Sequence, residues 1–281
     1  MHIKRHLGTF GGTPGPTVIC VGGIHGNEPS GVLALERVFR ELNRTLPAFN
    51  GELVGLGGNL TALRQQARFL SRDLNRVWTA QNMRALHNGD PIDPEHQEQR
   101  ELMAAFEEAA GRAMGPIYFL DLHTTSADSA PFVCIGDTMR NRAFAMNFPV
   151  PIIMGLEEQI DGAMLECINN RGITTLGFEA GQHDSPSSVD RHEAAVWIAL
   201  IAAGCVEPRA APGLASLRRT LIEASAGLPR ILEVRHRHAI TPEDDFVMEP
   251  GFKNLAPIDQ NQLLARDRRG EIRAEEAARI D

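Results

Sequence analysis

The amino-acid sequence predicts an α/β protein: a mainly parallel or mixed sheet flanked by helices, followed by a small β-rich appendage. Two observations give the fold class and a third gives the place of the chemistry. Short apolar, β-branched runs alternate with stretches of helical periodicity up to about residue 205, the pattern of a sheet covered on both faces. After Pro208 and Pro212 the chain changes to short strands and turns. Glycines and polar residues collect where the predicted strands end, and in an open α/β sheet ligands bind outside the carboxyl ends of the strands.

Taken in order, residues 1–16 read as an edge strand and a Gly/Pro turn. Thr17 to Val21 is apolar without alternation, as a strand buried on both faces requires. It runs into GGIHGNEPSG at 22–31. From Ser30 to Leu42, Val32, Leu33, Leu35, Val38, Phe39 and Leu42 share one helical face. Glu52 to Leu56 is the next strand, closed by Gly57, Gly58 and Asn59, and Leu60 to Gln66 is a short helix. His87 to Pro94 is polar and turn-rich, a surface loop. Asp93-Pro94 opens a helix that extends to Met114. Further strands are expected at Ile117 to Leu122, Phe132 to Ile135, Ile152 to Met154 and Thr174 to Phe178. Helices are expected at Asn141 to Phe148, Asp161 to Asn170 and Val189 to Gly204, the last with Ser187 and Ser188 as candidate caps. Leu214 to Ala226 is a helix, and the rest is short strands. This divides the chain into a catalytic α/β domain, 1–207, and a helix plus small β-rich domain, 208–281. The β-rich part is below the usual size of an independent domain and is expected to lean on the first.

A length of 281 residues, 43% hydrophobic and 23% charged, suits a globular chain with a sizeable core. The net charge of −8 argues against a nucleic-acid partner, and no basic cluster suits an anionic membrane surface. The longest apolar run, Ala194 to Val206, is too short to span a bilayer and reads as a buried helix. The N-terminal MHIKRHLGTFGG lacks the apolar core of a signal peptide. Cys20, Cys134, Cys167 and Cys205 are far apart with no C-x-x-C pair, which reads as reduced, buried thiols in a cytoplasmic protein.

Four segments bring polar residues to one rim of the predicted sheet. His25 and Glu28 follow the first buried strand, three apart, where a turn brings them to one side. His123 follows the strand ending in LDL. Together these give two imidazoles and a carboxylate, the set with which a catalytic zinc keeps its fourth position for water. Taken alone, His25 also reads as a turn histidine. Glu179, in LGFEAG, reads either as a cap or ion-pair residue or as a general base beside such a water. His183 is open between a site residue and a solvated loop histidine. Arg68, Arg72, Asp73, Asn75 and Arg76 form a group suited to binding a carboxylate or polarising a carbonyl, or else a solvated charged loop. Within it Arg72 reads as solvated and Asp73 as a buried brace for an arginine.

Beyond these individual residues, GGIHGNEPSG (22–31), RFLSRDLNRVW (68–78), FLDLHTT (119–125) and GFEAG (177–181) resemble the succinylglutamate desuccinylase/aspartoacylase family, relatives of the zinc carboxypeptidases, over about Thr17 to Val206. The resemblance implies a carboxypeptidase-like fold and one Zn2+ per chain held by His25, Glu28 and His123. It implies that Arg68 polarises the scissile carbonyl, that Asn75 and Arg76 (with Asp73 beside them) bind a substrate carboxylate, and that Glu179 is general base and acid. The substrate implied is a small anionic N-acyl amino acid. A homo-oligomer is compatible with the sequence. The sequence departs from the family in two ways. Its one tyrosine, Tyr118, lies in a core strand, where family members bring a tyrosine from a closing C-terminal segment. No arginine stands in register upstream of Glu179, Arg171 being close but displaced. The expected function is therefore a zinc-dependent deacylase. The alternatives are a zinc carboxypeptidase or ester hydrolase, and a non-catalytic metal-dependent binding protein.

Overall fold

The structure, a computed structural model, describes residues 3–86, 92–156 and 159–280. Most of the loop expected at His87 to Pro94 lies outside the described residues. An eight-stranded sheet forms the centre, in the order β1-β3-β2-β4-β7-β5-β6-β8. Its strands are β1 (His6–Gly11), β2 (Thr17–Gly22), β3 (Glu52–Gly57), β4 (Ile117–Thr125), β5 (Phe132–Ile135), β6 (Ile152–Met154), β7 (Thr174–Gln182) and β8 (Ile231–Glu233). The sheet is mixed: β1 is antiparallel to β3 and β5 to β7, while the other neighbours are parallel. The expected fold class is thus the observed one.

Side-chain alternation sorts the core into two layers. Val18, Cys20, Leu120, Leu122, Leu176 and Phe178 face α1 (Ser30–Thr45) and α7 (Pro186–Ala203). Ile19, Val21, Val54, Leu56 and Phe119 face α4 (Pro94–Gly111) and α6 (Met164–Asn169). Burial on both faces is why the strands read as continuous apolar runs. Ala194 to Leu200 of α7 is buried all round, as its apolarity demands. Among the described residues no helix is long and apolar enough to cross a membrane.

Several boundaries move, each for a local reason. β4 and β7 run past their predicted ends, through His123 and Glu179, because the two strands keep pairing there. α7 begins at Pro186, so Ser185 takes the cap position and Ser187 and Ser188 are helical. Gly162 adopts a left-handed φ of 76°, which holds Asp161–Gly162 as a turn and delays α6 to Met164. Two elements, α2 (Leu60–Gln65) and α5 (Met139–Ala145), keep close to expectation. A short helix, α3 (Ala80–Ala85), has no counterpart among the expected elements.

Beyond Pro208 come α8 (Leu214–Ala224) and then β8, which adds to the edge of the main sheet beside β6. Strands β9 (Val247–Met248), β11 (Leu263–Asp267) and β12 (Gly270–Arg273) form one small antiparallel sheet, and β10 (Ala256–Ile258) with β13 (Ala278–Ile280) another.

Candidate metal centre

The chain passes from β2 through α1 to β3 on one side, and β4 lies on the other side of β2. The crevice between the carboxyl ends of β2 and β4 is therefore the topological switch point of the sheet. His25 and Glu28 follow β2, and His123 lies near the carboxyl end of β4. The HGNE turn is seated hard against neighbouring backbone: Gly26 N–H donates to Arg68 O at 3.1 Å. A Cβ on Gly26 would stand 2.1 Å from the Ala62 carbonyl carbon, so glycine is the residue that fits. Glu28 N–H donates to His25 O at 3.1 Å and closes the turn that gathers the two side chains.

His25 Nδ1 lies 2.8 Å from Glu28 Oε1, and His123 Nδ1 lies 3.1 Å from Glu28 Oε2. All three residues are buried, and their donor atoms fall within 4.8 Å of one another. The outward nitrogens meet carboxylates: His25 Nε2 is 3.0 Å from Asp73 Oδ1, and His123 Nε2 is 3.0 Å from Asp121 Oδ2. The second contact is an ion pair whose direction is poor for a hydrogen bond. Thr124 N–H donates to Glu28 Oε2 at 2.9 Å. Two imidazoles with one nitrogen inward and the other braced by a carboxylate, around a shared carboxylate, are the arrangement in which proteins orient metal ligands. The donor set fits a divalent ion.

The electrostatics agree. Burial alone pushes Glu28 up, but His123 and His25 outweigh it and hold the carboxyl well below the usual range. Asp73 is likewise pushed up by burial and held low by His25, the Asn75 N–H and Arg68. Burial lowers both histidines, yet Asp73 and Glu28 raise His25, and Asp121 and Glu28 raise His123 well above the ordinary value. An ion bound at these imidazoles competes with their protons.

The 68–76 loop frames the crevice. Arg68 Nη2 donates to Asp73 Oδ2 at 3.0 Å, and its Nη1 is 3.6 Å from Glu28 Oε1. Asp73 thus braces an arginine and a histidine together. Asn75 is buried; its Oδ1 accepts from Met164 N–H at 2.9 Å and its Nδ2 is 3.4 Å from His123 Nε2. Arg76 is exposed on the rim, its Nη1 donating to Asn75 O. Arg72 pairs with Asp93, the N-cap of α4. Glu179 sits in register with His123 on the adjacent parallel strand, so the two side chains share a face of the sheet.

Three contributors are not legible in the sequence. Asp121 stands two residues before His123, and strand alternation is the available signal, since it puts both on one face. Thr124 acts through its backbone. Glu95, fully buried, accepts from Leu70 N–H at 2.7 Å, Ser71 N–H at 3.0 Å, Arg72 N–H at 3.4 Å and Asn59 Nδ2 at 3.2 Å. It pins the loop that carries Arg68, and no local pattern marks it.

Above the centre lies a cavity of about 430 Å³, walled on one side by Arg68, Thr124 and His183 and on the other by Met248, Phe252 and Lys253. The C-terminal segment therefore reaches the rim although it brings no tyrosine. Residues 14–200 match the family model of the succinylglutamate desuccinylase/aspartoacylase catalytic domain.

The chain belongs to the succinylglutamate desuccinylase/aspartoacylase family.

Among curated relatives, the succinylglutamate desuccinylase of Burkholderia thailandensis is 25% identical over 266 residues, covering 89% of this chain and 70% of that protein. That of Paraburkholderia xenovorans is 27% identical over 121 residues, 41% of this chain and a stretch spanning only 33% of the relative's length. A Rhodobacter sphaeroides succinylglutamate desuccinylase/aspartoacylase structure superposes with a TM-score of 0.66 at 20% identity, covering 97% of this chain and 88% of that one. The product-bound ectoine utilization protein EutE (DoeB) of Ruegeria pomeroyi gives 0.63 at 21% identity, covering 97% and 81%. These two likenesses are of fold.

Proposed function

We propose that this family member is a zinc-dependent deacylase that cleaves the amide bond of an N-acyl amino acid or a similar small carboxylate. The observation that carries the reading is the convergence of His25 Nδ1, His123 Nδ1 and the Glu28 carboxylate at the switch point of the sheet. Two nitrogens and one oxygen suit zinc, with one ion per chain. Such an ion, when bound, polarises the amide carbonyl and acidifies a water.

The chain's own residues do the rest. Asp73 and Asp121 fix the imidazole orientations. Arg68, beside Glu28, donates to the carbonyl oxygen as negative charge develops on it; one such donor in comparable sites is worth about 3 kcal/mol. Glu179, on the same sheet face as His123, accepts the proton of the attacking water and returns it to the leaving amine. Arg76 and the amide of Asn75, whose oxygen is committed to Met164, hold the substrate carboxylate, with Asp73 keeping Arg68 in place. In this reading residues 1–207 carry the chemistry, and 208–281 wall the cavity and complete the sheet edge. The partner is a small anionic molecule, and neither nucleic acid nor membrane is required. The buried thiols of Cys20 and Cys205, the latter pushed up to about 12 by burial, support a cytoplasmic location.

The test is Glu179→Gln, measured for both zinc content and turnover of an N-acyl amino acid panel that also includes dipeptides and aryl esters. Retained zinc with turnover reduced by at least about 100-fold is expected, in line with general acid–base contributions. Retained zinc with unchanged turnover removes Glu179 from the mechanism. Preference for dipeptides or esters would turn the assignment to a carboxypeptidase or esterase.

A further inference from the structure

We infer that His183 contacts the substrate directly, its Nε2–H donating to a carboxylate oxygen of the molecule held in the cavity between the metal centre and the C-terminal wall. The inference rests on the deacylase reading and adds to it a residue that the metal-ligand set, the general base and the arginine group leave unused.

Four observations meet at this side chain. First, the pairing of β4 with β7 slips between His123/Glu179 and Thr125/Gln182, leaving an extra residue on β7. Gly181, with a φ of 97°, absorbs the bulge. Such a bulge re-aims the next residues of the strand, and His183 N–H returns to Thr125 O at 3.0 Å. Second, the imidazole is fixed through one nitrogen only: Nδ1 is 2.7 Å from Thr124 Oγ1. The Thr124 backbone N–H holds metal-ligand Glu28, so the ring is tied rigidly to the centre. Third, among the described residues Nε2 has no hydrogen-bond partner, while the ring lines the cavity beside Arg68. Fourth, burial lowers the ring's pKa from its ordinary value and outweighs the opposing charge of Glu28.

A neutral imidazole carries one N–H. The Thr124 hydroxyl makes no other hydrogen bond to the described residues, so it is free to donate to Nδ1, which leaves the proton on Nε2. A neutral donor beside the Arg68 guanidinium complements an anionic substrate without adding a second full charge. The predicted contact is made in the ground state and the transition state alike, so its loss raises KM and leaves kcat.

The two amide side chains separate this from a structural role. Asparagine keeps a polar atom near the Nδ1 position, and glutamine keeps an N–H near Nε2. Zinc-loaded wild type, His183→Asn and His183→Gln are compared with N-succinyl-L-glutamate and N-acetyl-L-aspartate. The expected result is a KM raised about 10-fold in His183→Asn, the scale of one hydrogen bond to a charged acceptor. Zinc content and kcat stay unchanged, and His183→Gln lies within about twofold of wild type. Wild-type kinetics in both variants, or rescue by asparagine and not by glutamine, overturns the inference; the latter would place His183 as a support for Thr124. If wild type turns over neither compound, the deacylase reading fails separately. The inference is then read from calorimetric binding of succinate and L-glutamate to zinc-loaded wild type and His183→Asn. Equal affinity, or no binding to wild type, overturns it.

Discussion

Asp73→Asn is expected to weaken zinc binding by about 10- to 100-fold while leaving the fold intact. Asp73 touches no ion in this account. It accepts from His25 Nε2 at 3.0 Å, Asn75 N–H at 2.8 Å and Arg68 Nη2 at 3.0 Å. Asparagine preserves the shape and one acceptor oxygen and removes the charge. Loss of such an outer carboxylate typically costs 10- to 100-fold in metal affinity, about 1.4–2.7 kcal/mol. The sign with pH is also set. Burial lowers the pKa of His25, and Asp73 is the largest influence raising it. Without that charge His25 holds its proton less tightly, so zinc binding in the variant should release fewer protons near pH 7. Competition against a chelating dye at pH 6 and pH 7, with circular dichroism to verify folding, measures both effects. A folded variant with wild-type affinity and the same proton release would refute the idea that the carboxylate behind His25 tunes the centre.

Two further outcomes concern buried groups near the site. Glu95→Ala leaves the N–H groups of Leu70, Ser71 and Arg72 without their acceptor and should destabilise by about 2–5 kcal/mol in urea denaturation. A cost below about 1 kcal/mol would mean the loop does not depend on it. His192 of α7 is fully buried with Nδ1 3.1 Å from Ser30 Oγ, and burial pushes its pKa down to about 4. The unfolded chain binds that proton near pH 6.5, so stability is complete above this value and falls as pH drops toward 4, by up to about 3 kcal/mol. The metal-free ligands act elsewhere: raised His25 and His123 lose their contribution as pH rises above 6.5, and lowered Glu28 and Asp73 lose theirs only in stronger acid. His192→Gln should flatten the loss between pH 6.5 and 4, and an unchanged slope would count against this assignment.

The parts of the fold read from the sequence are those where local pattern and tertiary environment agree. Thr17 to Val21 reads as a buried strand because both its faces are in fact covered, and His25 with Glu28 stands out because a strand end and a tight turn are local features. His123 and Glu179 read as strand ends; pairing between β4 and β7 carries the strands through them, and the register makes them neighbours. What escapes is non-local or lacks a pattern. The helix α3 has no buried residue and so no apolar period to detect. The strand β8 looks like part of the appendage, and only the free edge of β6 draws it into the main sheet. Glu95 matters through contacts with backbone amides that composition and spacing do not encode.

The His25, Glu28 and His123 cluster is proposed to hold a single zinc required for amide hydrolysis. The most direct measurement is turnover of N-succinyl-L-glutamate and related N-acyl amino acids during stoichiometric zinc titration of chelator-stripped protein, followed by amine release. Activity should be absent after stripping, rise linearly and break at one zinc per chain, and be lost in His25→Ala. Full activity in stripped protein, or zinc bound at one per chain with no amine released from any member of the panel, would contradict it.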